Sequence, residues 1–235
     1  MAERLDNELT GRLLALLAHD LRNPLSALHS NVGYLVGLPQ CEDTETREAL
    51  DDASLSCECL VVIIDNLDVL ARHLEAKPSA STMRFSVLAV VQEALSRCER
   101  IAASHGCRLS FNAGAEVGAI QVRANRDFLV RSLVNLVLNS VQHASGTTIE
   151  VAVSVVAGDC QITVTDSGTP LAPEDRDRAF QASGQLVAKT NGNGRYSRGL
   201  GLFVASLSAE VASARVSVST IGRSNRFQLT VNTDN

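Results

Sequence analysis

Leu14-Ala-Leu-Leu-Ala-His-Asp-Leu-Arg-Asn-Pro-Leu-Ser-Ala-Leu-His-Ser-Asn-Val-Gly-Tyr-Leu35 decides how the first third of the chain folds. Leu14, Ala18, Leu21, Leu25, Leu28, Val32 and Leu35 recur at alternating spacings of four and three, the seam of an amphipathic helix that packs along a partner. Leu50, Ala53, Cys57, Leu60, Ile64, Leu67, Ala71 and Leu74 repeat that pattern. Between the two, Gly37-Leu-Pro-Gln-Cys-Glu-Asp43 stops the first helix and supplies a turn, and Asp43 or Thr44 can cap the second. The unit reads as a helical hairpin. Two helices enclose too little interior to bury both seams, so two copies are expected to pair as a homodimer with a four-helix bundle. The alternative is that the hairpin lies on the rest of its own chain.

The remaining composition is that of a globular protein. With 235 residues, 45% of them apolar, the chain can bury a sizeable core. A net charge of −5 supplies no basic face for phosphate neutralisation, so no nucleic-acid partner is expected. The best apolar run, residues 60–64, is followed at once by Asp65 and falls far short of the roughly 18 residues that span a bilayer. Glu3, Asp6 and Glu8 stand where a signal peptide would be basic, so no membrane insertion by this chain is expected. Cys41, Cys57, Cys59, Cys98, Cys107 and Cys160 lack both zinc-site spacing and the density of a disulfide scaffold. They read as structural thiols of a reduced, cytoplasmic protein.

After the breaker-rich Lys77-Pro-Ser-Ala-Ser-Thr82 the pattern changes. Residues 86–101, 127–143 and 200–211 read as helices, while 107–112, 148–156, 161–165, 216–220 and 227–231 read as strands by alternation and β-branched content. The fold class is therefore α+β: a hairpin over residues 1–77, a linker over 78–84, and over 85–235 an α/β sandwich of a mixed sheet under a helical layer.

Several positions carry chemistry. If Ala18 and Leu21 face the seam, His19 lies about 100° round the helix from Ala18 and can reach solvent. An exposed imidazole titrating near neutrality offers an unprotonated nitrogen as nucleophile, and Asp20 is the natural acceptor for the proton on the other nitrogen. Pro24 removes a backbone donor and should kink or loosen the helix just beyond. Taken alone, the His-Asp pair is more often a surface histidine beside a charge. Asn135 and Asn139, four residues apart, share a helix face, and their carboxamide oxygens suit a hydrated magnesium ion; alone they also suit a helix surface. Ile162-Thr-Val-Thr-Asp-Ser-Gly168 reads as a strand that presents the Asp166 carboxylate at a sheet end, placed to read an adenine amino group. Gly192-Asn-Gly-Arg-Tyr-Ser-Arg-Gly-Leu-Gly-Leu202 runs into a helix whose N-terminus, with Arg198, attracts phosphate.

The heptapeptide from His19 to Leu25 resembles the H-box of sensor histidine kinases. That resemblance implies that His19 is autophosphorylated, that Asp20 acts as the general base, and that Asn23 positions water when the protein works as a response-regulator phosphatase. Asp65-Asn-Leu-Asp-Val-Leu-Ala-Arg72 is similar to the end of the family's second hairpin helix. The succession of Asn-helix, Asp-x-Gly after a strand and Gly-Leu-Gly-Leu opening a helix looks like the N, G1 and G2 boxes of the Bergerat-fold (GHKL) ATPases. Phe180 falls at their F-box, and residues 222–231 resemble their last strand. The likeness implies that Asn139 and Asn135 coordinate Mg2+ and the phosphates of ATP, and that Asp166 binds adenine. It further implies that Gly168, Gly199 and Gly201 shape pocket and lid, and that His143 and Arg198 lie near the phosphates. The implied partner is the receiver domain of a response regulator. Because the chain begins shortly before His19, either it is a piece of a longer protein or the input arrives through a separate sensor protein.

Four positions depart from the family pattern: Pro170 replaces the second G1 glycine, Ser197 the first G2 glycine, Gln142 a basic residue and Asn125 an acid. The alternatives are a histidine phosphotransfer or scaffold protein with a degenerate ATPase domain, and a serine kinase of the anti-sigma-factor type.

Overall fold

The computed structural model describes residues 7–36, 44–74, 81–112, 117–176, 178–182 and 200–234. Two long helices come first, α1 (Asn7–Val36) and α2 (Thr44–Leu74), packed along each other. A bond from the Tyr34 hydroxyl to Glu45 Oε2 (2.9 Å) ties the end of α1 to the start of α2. Helix α1 continues through Pro24, where a kink or loosening was expected, and the proline is buried.

The buried row of the hairpin coincides with the expected seam only in part, at Ala53, while the side chains of Leu14, Ala18, Ala71 and Leu74 lie outside the described residues. On α1 it runs through Leu13, Leu17, Asp20 and Pro24, and on α2 through Ala53, Ser56, Ile63, Asn66, Val69 and Leu70. Leu25 and Ile64 of the expected seam are 58% and 57% exposed, with Val32 and Leu50 also outward. A bundle helix carries two apolar rows, one against its own partner and one on another side, and a heptad count does not separate them.

Strand β1 (Met83–Ser86) pairs antiparallel with β3 (Gln121–Ala124) in a small two-stranded sheet. The main sheet has the order β2-β4-β5-β7-β6, built from β2 (Arg108–Asn112), β4 (Thr148–Val156), β5 (Asp159–Asp166), β6 (Ala214–Ile221) and β7 (Ser224–Asn232). Its first pair, β2 with β4, is parallel and the others are antiparallel, so the sheet is mixed as expected. Helices α3 (Val87–Ser104), α4 (Arg126–His143) and α5 (Gly201–Val211) pack on it. Alternation decides which face they cover: Cys160, Ile162 and Val164 of β5 and Phe227, Leu229 and Val231 of β7 are buried, while Gln161, Thr163, Gln228 and Thr230 between them stay partly open. Leu129, Leu133, Leu136 and Val137 of α4 fill the opposite side of this core. Each such buried side chain contributes about 1.5–3 kcal/mol, which holds α4 rigidly over the sheet end.

Asn125 caps α4, its side-chain oxygen accepting from the Phe128 N–H (3.2 Å) while its amide donates to the Ser81 carbonyl (3.0 Å). An acid at this position could cap but could not make the second bond.

Among the described residues Cys57, Cys59, Cys98, Cys107 and Cys160 are free thiols. Burial pushes the Cys98 thiol up to about 12 from the ordinary 9.0. Its folded-state value is raised, so at alkaline pH the unfolded chain ionises first and folding is opposed. Stability attributable to Cys98 is therefore constant below pH 9 and falls from there toward pH 12. Denaturant titrations at stepped alkaline pH should show a shallower decline in Cys98→Ala than in the wild type.

Candidate functional site

The end of β5, the C-terminal half of α4 and the start of β7 converge on one buried carboxylate. Asp166 is 2% exposed and accepts three hydrogen bonds. The Ser140 hydroxyl of α4 donates to Oδ2 (2.8 Å); the Gly168 N–H (2.9 Å) and the Asn225 side-chain amide (3.1 Å) donate to Oδ1. Register explains why Asn225 is there, since it stands directly opposite Asp166 across the β5–β7 pair. Each of these three neighbours presents a hydrogen to it, so the carboxyl group is held from three sides.

Gly168 is fitted against the end of α4. A Cβ there would lie 2.7 Å from the His143 carbonyl oxygen and 3.1 Å from its carbon, so only glycine lets the strand turn away at this point. His143 itself is exposed at the end of α4. The loop after Gly168 carries Pro170, and the Asn225 side chain bonds on both sides of it, donating to the Thr169 carbonyl (3.1 Å) and accepting from the Leu171 N–H (2.9 Å). Phe180 sits half-buried in a short helical turn, Arg178–Phe180, against the core.

Asn139 is half-buried on α4, one residue before Ser140. Asn135, one turn earlier, is 4% exposed and engaged elsewhere. It exchanges two hydrogen bonds with Asn66 of α2, its amide donating to Asn66 Oδ1 (2.9 Å) and its Oδ1 accepting from the Asn66 amide (3.1 Å). Gly201, at the start of α5, faces the same Asn135 oxygen, a Cβ there being 3.7 Å away.

Ions frame this contact between hairpin and sheet domain. Arg131 of α4 bonds to Asp65 (3.2 Å) and Asp68 (2.5 Å) of α2 and lies 5.1 Å from the centre of the Phe128 ring. Arg97 reaches Asp65 (3.5 Å), and Arg100 reaches Glu58 (2.8 Å) and the Ser54 hydroxyl (2.7 Å). A groove of about 630 Å³ lies between α2 and the α3–α4 pair, with Arg97, Arg100, Arg131 and Asn135 on its wall.

The other sequence-derived site residues fall as follows. His19 is on α1, and its side chain lies outside the described residues. Asp20, expected as its proton acceptor, is 6% exposed in the hairpin seam, and Asn23 is exposed. Arg198 and Gly199, with Ser197, lie outside the described residues. Sequence reading missed Ser140, Asn225, Asn66 and Arg131. Asp65, Asn66 and Asp68, three polar residues inside the apolar rhythm of α2, were the available signal for the last two.

Two family models match in tandem: the His Kinase A (phospho-acceptor) domain over residues 9–76, and the histidine kinase-, DNA gyrase B- and HSP90-like ATPase over residues 124–235. The chain belongs to the sensor histidine kinases. This kinase core is 27% identical to the sensor protein IrlS of Burkholderia pseudomallei over 207 residues, which are 87% of the core and 43% of IrlS. It thus spans less than half the length of that relative. Among solved structures, the histidine kinase AdeS of Acinetobacter baumannii shares the fold with a TM-score of 0.56 at 18% identity, over 92% of the core and 98% of AdeS. The histidine kinase ThkA, solved in complex with the response regulator TrrA, matches 97% of the core and 63% of that chain with a TM-score of 0.58 at 16% identity. No helix among the described residues is long and apolar enough to cross a membrane.

Proposed function

We propose that the kinase core binds ATP beside Asp166, transfers the γ-phosphoryl group to His19 and hands it on to an aspartate of a response-regulator receiver domain. The observation that carries this reading is the preformed carboxylate: a buried Asp166 with its donors in place, on the end of a strand, in a chain whose first helix carries His19 within the phospho-acceptor match.

In the transfer step an unprotonated nitrogen of His19 forms the new N–P bond as the bond from phosphorus to the oxygen bridging to ADP breaks, and ADP leaves with that electron pair. Asp20 takes up or holds the proton of the other ring nitrogen. Asn139 and Asn135 are the residues that would hold Mg2+, which supplies charge neutralisation at the phosphates. Asn139 fits this directly, being half-buried with a neutral hard oxygen; Asn135 fits it once its oxygen is released from Asn66. His143, Arg198, Gly199 and Gly201 would border the phosphates and lid, and Gly168 the base. Asn23 would position water for attack on the regulator's aspartyl phosphate, the aspartate carboxylate leaving and inorganic phosphate being released.

The domain division follows the same reading, with residues 1–77 as phosphotransfer hairpin, 78–84 as linker and 85–235 as ATP-binding domain. The outward Leu25, Val32, Leu50 and Ile64 favour pairing of two hairpins in a homodimer. A reduced cytoplasm suits the free thiols.

Incubation with γ-labelled ATP tests the proposal. We expect label that is lost in acid, survives base and is absent from His19→Gln. Label on a partner's serine, or no label from ATP while phosphoryl groups are still accepted from a phosphorylated regulator, would instead select one of the two alternative classes.

A further inference from the structure

We infer that Ser140 and Asn225 are positioning residues that set the base selectivity of the site, by dedicating Asp166 to a purine that carries an exocyclic amino group. The inference rests on the reading that Asp166 contacts the base of the bound nucleotide. A carboxylate offers about four lone-pair positions. Two on Oδ1 are filled by Gly168 and Asn225, and one on Oδ2 by Ser140. Among the described residues one acceptor position remains, on Oδ2, and the plane of the carboxylate is fixed from three sides.

Such a site accepts a donor and rejects an acceptor. The 6-amino group of adenine can donate to the remaining position, whereas the 6-oxo group of hypoxanthine would set one acceptor oxygen against another. Selectivity then depends on the carboxylate being unable to turn. Ser140 is fully buried and Asn225 is 3% exposed, so neither meets solvent that could substitute for it. Asn225 adds a second function. By bonding to Thr169 and Leu171 it clamps the residues on both sides of Pro170, so the loop that departs from the family pattern is preformed against the carboxylate. Both effects act through Asp166 and the loop backbone, and neither needs Asn225 or Ser140 to touch nucleotide.

The test compares equilibrium binding of ATP and of ITP, which lacks the 6-amino group, to the full chain and to Asn225→Ala and Ser140→Ala. The wild type should prefer ATP; Asn225→Ala should cut the ATP/ITP affinity ratio about tenfold, and Ser140→Ala should cut it by a smaller factor, ITP binding being nearly unchanged in both. Without nucleotide, the Gly168 and Leu171 amides should exchange hydrogen faster in Asn225→Ala than in the wild type. If both variants weaken ATP and ITP equally and leave the ratio intact, the residues are merely structural and the inference is overturned while ATP binding stands. If the wild type binds neither nucleotide, or both alike, the underlying reading of Asp166 fails and takes the inference with it. Should Asn225→Ala not fold, the ratio measured in Ser140→Ala decides.

Discussion

Asp166→Ala lowers the thermal midpoint of the sheet domain by roughly 10 °C, whereas Asp166→Asn lowers it by only a few degrees and still abolishes ATP binding. The contrast follows from who donates to whom. Alanine leaves the Ser140 hydroxyl, the Gly168 N–H and the Asn225 amide buried with no acceptor. Each orphaned donor costs about 1–3 kcal/mol, so the sum is about 3 kcal/mol or more. Asparagine keeps an oxygen for Gly168 and Asn225 and turns an amide toward Ser140, whose hydroxyl rotates to accept it. The fold survives, but the position facing the base becomes a donor and repels an amino group. Calorimetric melting and ATP titration of both variants check this. Equal melting points, or wild-type ATP affinity in Asp166→Asn, would refute it.

Gly168→Ala should be as damaging to binding with less harm to the fold. The added methyl meets the backbone of His143 at 2.7 Å, and neither α4, locked by its leucines, nor the end of β5 can yield cheaply. Overpacking of this kind costs about 1–3 kcal/mol, and here relief comes from shifting the residues that follow Gly168. That displaces the loop from Asn225, so ATP affinity should drop at least about tenfold while far-ultraviolet circular dichroism is unchanged. Retained affinity would show that the loop has more slack than its three bonds to Asn225 and Asp166 imply.

How much of this was legible in the residues varies with the range of the interaction. Strands β4 and β5 stand out because inward Ile149, Ile162 and Val164 alternate with polar neighbours, a pattern that one face against a core imposes. Strands β1 and β3 escaped notice: each is only four residues long, too short for a period of two to register. Asp166, Gly168, Asn135 and Asn139 were legible because they cluster in short motifs. Ser140 and Asn225 were not, because their meaning lies in a partner 26 and 59 residues away. The hairpin seam was read only in part for a related reason. Asp20, Ser56 and Asn66 occupy buried positions that an apolar count passes over, while Leu25 and Ile64 occupy exposed ones that it accepts.

The paired amides of Asn66 and Asn135 carry a thermodynamic corollary. One carboxamide cannot serve two masters at full strength, so whatever engages the Asn135 oxygen competes with helix α2 for it. By reciprocity of linked equilibria, the seated hairpin weakens that competitor by the same factor by which the competitor loosens the hairpin. The arginines of α3 and α4, braced on acids of α2, set how large that factor is, which makes the junction between the two bodies an adjustable opponent of occupancy at the neighbouring site.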